Sequence, residues 1–571
     1  MKVMILHSFF RFSLETKTVS AGEVICKTHW SMPRCKRHGF GLLIGLVFLL
    51  FLIHSILLPT EAIHKVWAVK DCKIVPVTGP TIKKGVVVIR NGLIEAAGSN
   101  IPLPSDAEVI NGETFSVYPG FIDTLGTFIL KMPQEKPDAS KMYSGKYTDK
   151  DRGITPELKA FDYVNLSKAT LTKYHRQGIT AVHMLPQRGI FTGQASIFSM
   201  SNVDKNKALL LKDTWLGIGF SAEGFNTYPC SLMGVIAFLR QEFADVAYFK
   251  MHKSRWLKEM KGIPRPAYNA RYETILPYAR CEKSVVFLCD NQHAIRRAIK
   301  LGNQLGLRYV ILDSGGEAFK TIPELKRDKA KVLLTLTFKT PATSVHNRMG
   351  KDERTGAETE IYPKNAAKLA KAGIPFAFSS IGTDDPGKFI KAVKTTIAHG
   401  LSPGDALKAL TINAASILGV DKALGSIEPG KIANLLISEG DVLDKETKIK
   451  YVFADGTKFE IKARAEAGEK PTVNITGRWE ITTSGSMRRK VTMEFKQEEA
   501  SVSGRMITQM GTFEFDDGTV SGNEFSLEVT LSFGGNDIDL YYSGVVEGDT
   551  MSGTVTFGTY GSAEFTGKRI P

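Results

Sequence analysis

Six cysteines and eleven histidines are all that the 571 residues contain. Cys26, Cys35, Cys72, Cys230, Cys281 and Cys289 include no Cys-x-x-Cys spacing, which removes the zinc-knuckle and redox-dithiol patterns from consideration. Cys281 and Cys289 are near enough in sequence to pair in an oxidising compartment, but Cys289 directly follows the apolar run Val285–Leu288 and reads better as a buried thiol. Long apolar runs are equally scarce. Hydrophobic residues at 43% and charged residues at 23% exclude a mainly disordered or collagen-like chain. A chain of this length is expected to fold as two or three units.

The net charge of +15 raises nucleic acid as a partner, and its distribution answers the question. Beyond Ile475 the chain carries 8 Lys+Arg against 14 Asp+Glu, so the excess lies in the middle, spread along helices as in Lys364, Lys368 and Lys371. No basic stripe interleaved with aromatics stands out, and the charge reads as solvated helix faces; no nucleic-acid partner is expected.

The one strong apolar run is N-terminal. Arg34, Cys35, Lys36, Arg37 and His38 precede the uncharged run Leu42–Ile53, and Thr60-Glu61-Ala62 follows as a small-x-small site, the layout of an export signal. A retained anchor is the alternative, since Gly39–Leu58 has the length to cross a bilayer. Met32 would give the signal a basic region of ordinary length, so translation is expected to start there. The protein is therefore expected to be exported, with membrane contact only through an uncleaved N-terminal segment.

Past residue 63 the texture is strand and turn, with Asn91-Gly92 between apolar runs marking a hairpin. After Pro119, short apolar runs alternate with helical stretches, the pattern of a parallel sheet with crossover helices. Thr155-Pro156 opens a helix expected to reach Gln177, Gly178 ends it, and Ile179–Leu185 reads as a strand. Helix Ala294–Gln304, the strands Leu216–Ser221, Tyr309–Leu312, Val332–Phe338 and Pro375–Ser379, and a helix from Ser402 to Leu418 continue the series. About eight such units fit before Leu418, the size of a closed eight-fold barrel. From Gly425 to Ile461 strands return. Beyond the charged stretch Ala463–Lys470, alternations such as Leu527-x-Val529-x-Leu531-x-Phe533 read as an antiparallel barrel or sandwich.

Val117-Tyr-Pro-Gly-Phe-Ile-Asp123, the Asn91–Gly98 hairpin, Ala406–Leu418 and Gly425-Ser-Ile-Glu-Pro-Gly-Lys-Ile-Ala-Asn-Leu435 together resemble the signature ends of the amidohydrolase superfamily, especially its imidazolonepropionase-like branch. The resemblance implies an α/β architecture: a (β/α)8 TIM-like barrel over residues 119–419, and a small composite β-sandwich from the flanks 63–118 and 420–462. A linker over 463–475 and a C-terminal antiparallel β-barrel over 476–571 would follow, with residues 1–62 as signal or anchor. The C-terminal unit, opening Gly477-Arg478-Trp479, weakly resembles lipocalin-like barrels.

Metal-assisted hydrolysis needs about three or four protein ligands, mainly His and carboxylate. The resemblance places the family's ligands at Leu125, Thr127, Leu288, Ser314 and Ile381, none of them a histidine or carboxylate. No cofactor is therefore expected, and a divalent metal only if this register is wrong, in which case His183 with Asp290, Asp313 or Asp384 is the donor set. His293 and His399 read as helix-surface residues. Asp123, Gln194, Glu223, Asp290, Asp313 and Asp384 stand at strand ends or turns near the expected mouth, where function resides in this fold. They read either as helix caps or, for Asp290 with Asp313, as a carboxylate pair for acid/base work. Two functions remain open: hydrolysis of a non-peptide C–N bond, or non-catalytic binding of a small-molecule ligand by an envelope scaffold. A purely structural envelope protein is a weaker third reading.

Overall fold

The computed structural model describes residues 65–132, 147–223, 228–338, 361–383, 385–444, 447–461, 470–484, 489–509, 511–533, 536–557 and 562–571. The expected signal region, residues 1–62, lies outside them, as does Asp384. No helix among the described residues is long and apolar enough to cross a membrane.

Five strands open the fold: β1 (Val66–Ile74), β2 (Ile82–Arg90), β3 (Leu93–Gly98), β4 (Ala107–Asn111) and β5 (Phe115–Pro119). β2 and β3 turn at Asn91 and Gly92, whose φ angles of 52° and 77° suit a two-residue hairpin. Three later strands, β16 (Leu435–Glu439), β17 (Ile449–Ala454) and β18 (Thr457–Glu460), join the same sheet in the order β18-β17-β16-β5-β1-β2-β3, with β4 on β1. The joint is antiparallel, Leu435 facing Pro119 and Ile437 facing Val117. One apolar core, including Trp67, Val69, Val87, Val117, Leu435 and Phe453, unites both flanks.

Between the flanks lies the barrel: β6 (Phe121–Gly126), β7 (Ile179–Met184), β8 (Phe191–Gln194), β9 (Ser196–Ser199), β10 (Leu209–Leu211), β11 (Trp215–Gly219), β12 (Ser284–Cys289), β13 (Tyr309–Asp313), β14 (Lys331–Thr335) and β15 (Phe376–Ser379). Eight regular βα units were the expectation, and the structure departs from it. β6, β7 and β11 to β15 run parallel, while the bent ribbon β8–β9 is antiparallel to both neighbours, β9 on β7 and β8 on β11. Gly193, at φ 115°, makes the bend, and a Cβ there would sit 2.6 Å from Leu158 O. Opposite, β15 meets β6, with the Thr124 hydroxyl on Phe378 O (2.5 Å) and the Ser379 hydroxyl on Leu125 O (2.6 Å). The interior is packed by one or two apolar side chains per strand, among them Ile122, Ala181, Val286, Val310, Leu333 and Ala377.

Among the described residues the helices of six or more residues are α1 (Lys168–Arg176), α2 (Leu232–Lys258), α3 (Ala270–Ala279), α4 (Gln292–Gln304), α5 (Ile322–Arg327), α6 (Asn365–Lys371), α7 (Pro386–Ala398), α8 (Pro403–Leu410) and α9 (Ile412–Leu418). The expected helix from Thr155 to Gln177 is broken: its backbone is claimed by Asn165 N on Ile129 O and Lys131 N on Tyr163 O, and Ser167 caps α1 afresh. The stretch from Ser402 to Leu418 is likewise two helices, divided at Thr411. α9 covers the N-terminal end of the barrel, where Asn413 donates to Phe376 O and Lys331 to Ser416 O.

The last eight strands form a closed barrel: β19 (Gly477–Thr483), β20 (Lys490–Glu498), β21 (Ser501–Thr508), β22 (Gly511–Ser521), β23 (Glu524–Phe533), β24 (Asn536–Glu547), β25 (Thr550–Phe557) and β26 (Ser562–Ile570). Each pairs with its chain neighbour, and β19 pairs with β26, so no edge remains. Its interior holds Trp479, Phe495, Phe515, Phe525, Tyr542 and Phe565. Asp516 of this barrel lies 3.6 Å from Arg176 and 3.9 Å from Lys173 on α1. Cys72, Cys230, Cys281 and Cys289 are free thiols, so Cys281 and Cys289 are not bonded, and Cys289 is buried.

Candidate active site

The C-terminal ends of the parallel strands set the mouth, and Asp123 stands at its base. It is fully buried near the end of β6, accepting from Ser380 N (3.0 Å), the Ser380 hydroxyl (2.5 Å) and Leu125 N (3.3 Å). Burial pushes its carboxyl up to about 6, against the lowering effect of these donors. The pair fastens the first parallel strand to the last. Ser380 was not singled out in the sequence, where nothing ties it to a residue 257 positions away.

His183, on β7, is buried with both ring nitrogens engaged: Nδ1 donates to Thr124 O (3.0 Å) and Nε2 lies 2.7 Å from the Thr214 hydroxyl. Its ring stands edge-on to Trp215, and burial lowers it to about 4, so it is neutral at physiological pH.

Asp313 closes β13. Its oxygens accept from Gly315 N (3.2 Å), Glu317 N (3.1 Å), Ala318 N (2.8 Å) and Asn365 Nδ2 (2.9 Å). Burial raises its pKa against those donors. Asp290, one residue beyond β12, is exposed and accepts from Asn291 Nδ2 (2.8 Å). The two are not brought together as an acid/base pair: Asp313 spends its lone pairs on the following loop, as a cap does. Gln194 is buried at the end of β8 and accepts from the Tyr278 hydroxyl (3.2 Å). Glu223 lies beyond β11, half-buried, with Arg188 at 3.8 Å and its own N–H on Arg152 O.

At the positions where the family's ligands were aligned, Leu125 is fully buried and Leu288 and Ile381 are half-buried, all three in the apolar cluster that fills the barrel. Ser314 donates to Cys289 O (3.0 Å), and Thr127 accepts from Leu130 N in a turn. Among the described residues no three His, Cys, Asp or Glu side chains converge as a metal site requires. The five aligned positions by themselves do not make a divalent-ion site, since Leu125, Leu288 and Ile381 carry no side-chain donor atom.

The comparisons bear on the whole. The Amidohydrolase family profile matches residues 332–462. Imidazolonepropionases of Streptococcus pyogenes, serotypes M49 (strain NZ131) and M1 among them, are 23% identical over 404 residues, covering 65% of this chain and 88% of theirs. The crystal structure of an amidohydrolase from Thermotoga maritima MSB8 superposes with a TM-score of 0.57 at 25% identity, over 69% of this chain and 99% of that one. They also correct the expectation of a protein without a cofactor, since this family is typically dependent on zinc or iron. The profile spans the last two strands of this barrel and the three strands that return to the first sheet, and the relatives run through both; together they support a likeness to the amidohydrolase superfamily, in its imidazolonepropionase-like branch.

Proposed function

We propose that the protein hydrolyses a non-peptide C–N bond in a small cyclic or open-chain amide held at the C-terminal mouth of the barrel. The carrying observation is the span of the likeness, which runs through 88% of the imidazolonepropionase rather than a shared fragment. Asp123, whose carboxyl burial raises to about 6, also positions Ser380 at the mouth through its hydrogen bond, and this supports the reading. Export is part of this proposal, supported by the basic cluster Arg34–His38 ahead of Leu42–Ile53.

The test is ring opening of imidazolones, hydantoins and related cyclic amides by the purified chain, with zinc, iron or manganese supplied. Turnover of at least one such substrate is expected; no turnover with any metal across the panel would overturn the proposal. A second reading, ligand binding without turnover, is supported by the apolar side chains of Leu125 and Leu288 inside the barrel. Calorimetric binding of the same compounds without hydrolysis would favour it.

A further inference from the structure

Helix α2 is 27 residues long, about 40 Å at the α-helical rise, and its buried side chains stop at Phe249. The stripe that faces the core, Leu239, Phe243 and Val246, continues along the same helix face to Leu257, which is 59% exposed. The end of the helix therefore overhangs. Its base is fixed by the Lys253–Glu273 ion pair and the contact between the Phe249 and Tyr272 rings, 5.8 Å apart. Around the overhang and the turn behind it, Tyr248, Met251, Leu257, Met260 and Tyr268 are all exposed, Tyr268 at 78%. Exposed Lys250, Arg255, Lys258, Lys261 and Arg265 are interleaved with them, and Glu259 is the one acidic residue between Tyr248 and Tyr268. Among the solvated helix faces that carry the chain's excess charge, this stretch is the exception, because its basic residues alternate with exposed apolar and aromatic ones.

We propose that the projecting end of α2, with the turn to Tyr268, docks on an anionic phospholipid surface. Basic side chains mixed with exposed Met, Leu and Tyr match what binds at a headgroup layer: lysine and arginine meet the phosphates, and the apolar and aromatic groups enter the acyl boundary. Five Lys/Arg against one Glu gives the required charge complementarity. A protein partner is less suited, because lysine is depleted in protein interfaces. A nucleic acid would leave Met251, Leu257 and Met260 without a role. The inference is independent of the catalytic reading and differs from membrane contact through the N-terminal segment alone.

The test is flotation of the full chain with phosphatidylcholine vesicles, with and without about one third phosphatidylglycerol, at low and high salt. The N-terminal basic cluster Arg34–His38 adds the same preference to wild type and to the variants, so the change in phosphatidylglycerol preference between wild type and the charge variant is the readout. Wild type should prefer the anionic vesicles at least about tenfold, and Arg255→Glu, Lys258→Glu and Lys261→Glu together should lower that affinity about a hundredfold, at roughly fivefold per basic residue. Met251→Ser, Leu257→Ser and Met260→Ser together should keep the salt-sensitive preference and lose the part that survives high salt. Unchanged melting of both variants shows that the fold is kept. Equal partition of wild type onto both vesicles, or an undiminished preference in the charge variant, overturns the proposal. So does self-association, or retention on DNA, that the same substitutions abolish while vesicle binding is untouched.

Discussion

Burial acts on Asp123 and on the core histidines in opposite directions. Folded Asp123 keeps its proton up to about 6, whereas a free aspartate releases it near 4, so the folded state binds more protons between those values. Its contribution to stability therefore falls as pH rises from about 4 to about 6. His175 and His183, both lowered to about 4 by burial, do the reverse: the unfolded chain binds more protons between 4 and 6.5, and the stability they give at neutral pH is lost as pH falls through that range. Thermal melts should show the stability of Asp123→Asn gaining on wild type by up to about 3 kcal/mol as pH rises from about 4 to 7. A difference independent of pH would mean that Asp123 is ionised in the fold throughout. Gly120 is a steric requirement, because a Cβ there would lie 2.2 Å from Thr180 Oγ1. Gly120→Ala should cost about 1–3 kcal/mol by denaturant midpoint, and Thr180→Ala should recover part of it in the double variant. Asp123 and Asp313 were visible in the sequence as strand-end carboxylates. Their partners Ser380 and Asn365 were not, because a hydrogen bond between residues far apart in the chain leaves no local pattern.

Elements with strong local signals were legible. The strand over Ile179–Met184, the helix Gln292–Gln304 and the Asn91-Gly92 hairpin each combine a periodic run with its own cap or turn. The ribbon β8–β9 was not, since Phe191–Ser199 reads as a Gly-containing turn and its direction is set only by β7 and β11 on either side. The loop after β13 depends on one carboxylate. Asp313→Ala leaves three backbone N–H groups and Asn365 without their acceptor and should cost about 2–4 kcal/mol, read as a lowered urea midpoint. An unchanged midpoint would mean that the loop satisfies these donors another way.

At the scale of the molecule, the C-terminal barrel has its own closed sheet and its own core, and its ion pairs to the rest of the chain centre on Asp516. A fragment from about Pro471 is expected to melt cooperatively by itself. A broad, non-cooperative transition would make the barrel dependent on the unit before it. Its closure was legible only as alternating strands, because strand number and the β19–β26 pairing are properties of the whole sheet.

The antiparallel joint between β5 and β16 has a consequence for how the protein is made. Its partners, Pro119 and Leu435, are roughly 300 residues apart, and every barrel strand lies between them. At about 5–20 residues per second a ribosome needs tens of seconds to deliver the second partner after the first has emerged. Throughout that interval β5 offers an open edge, paired on one side to β1 and awaiting β16 on the other. Completion of the sheet thus reports completion of the barrel. A chain truncated before Leu435 is left with an adhesive strand, and is expected to be recognised and bound by chaperones until it is degraded.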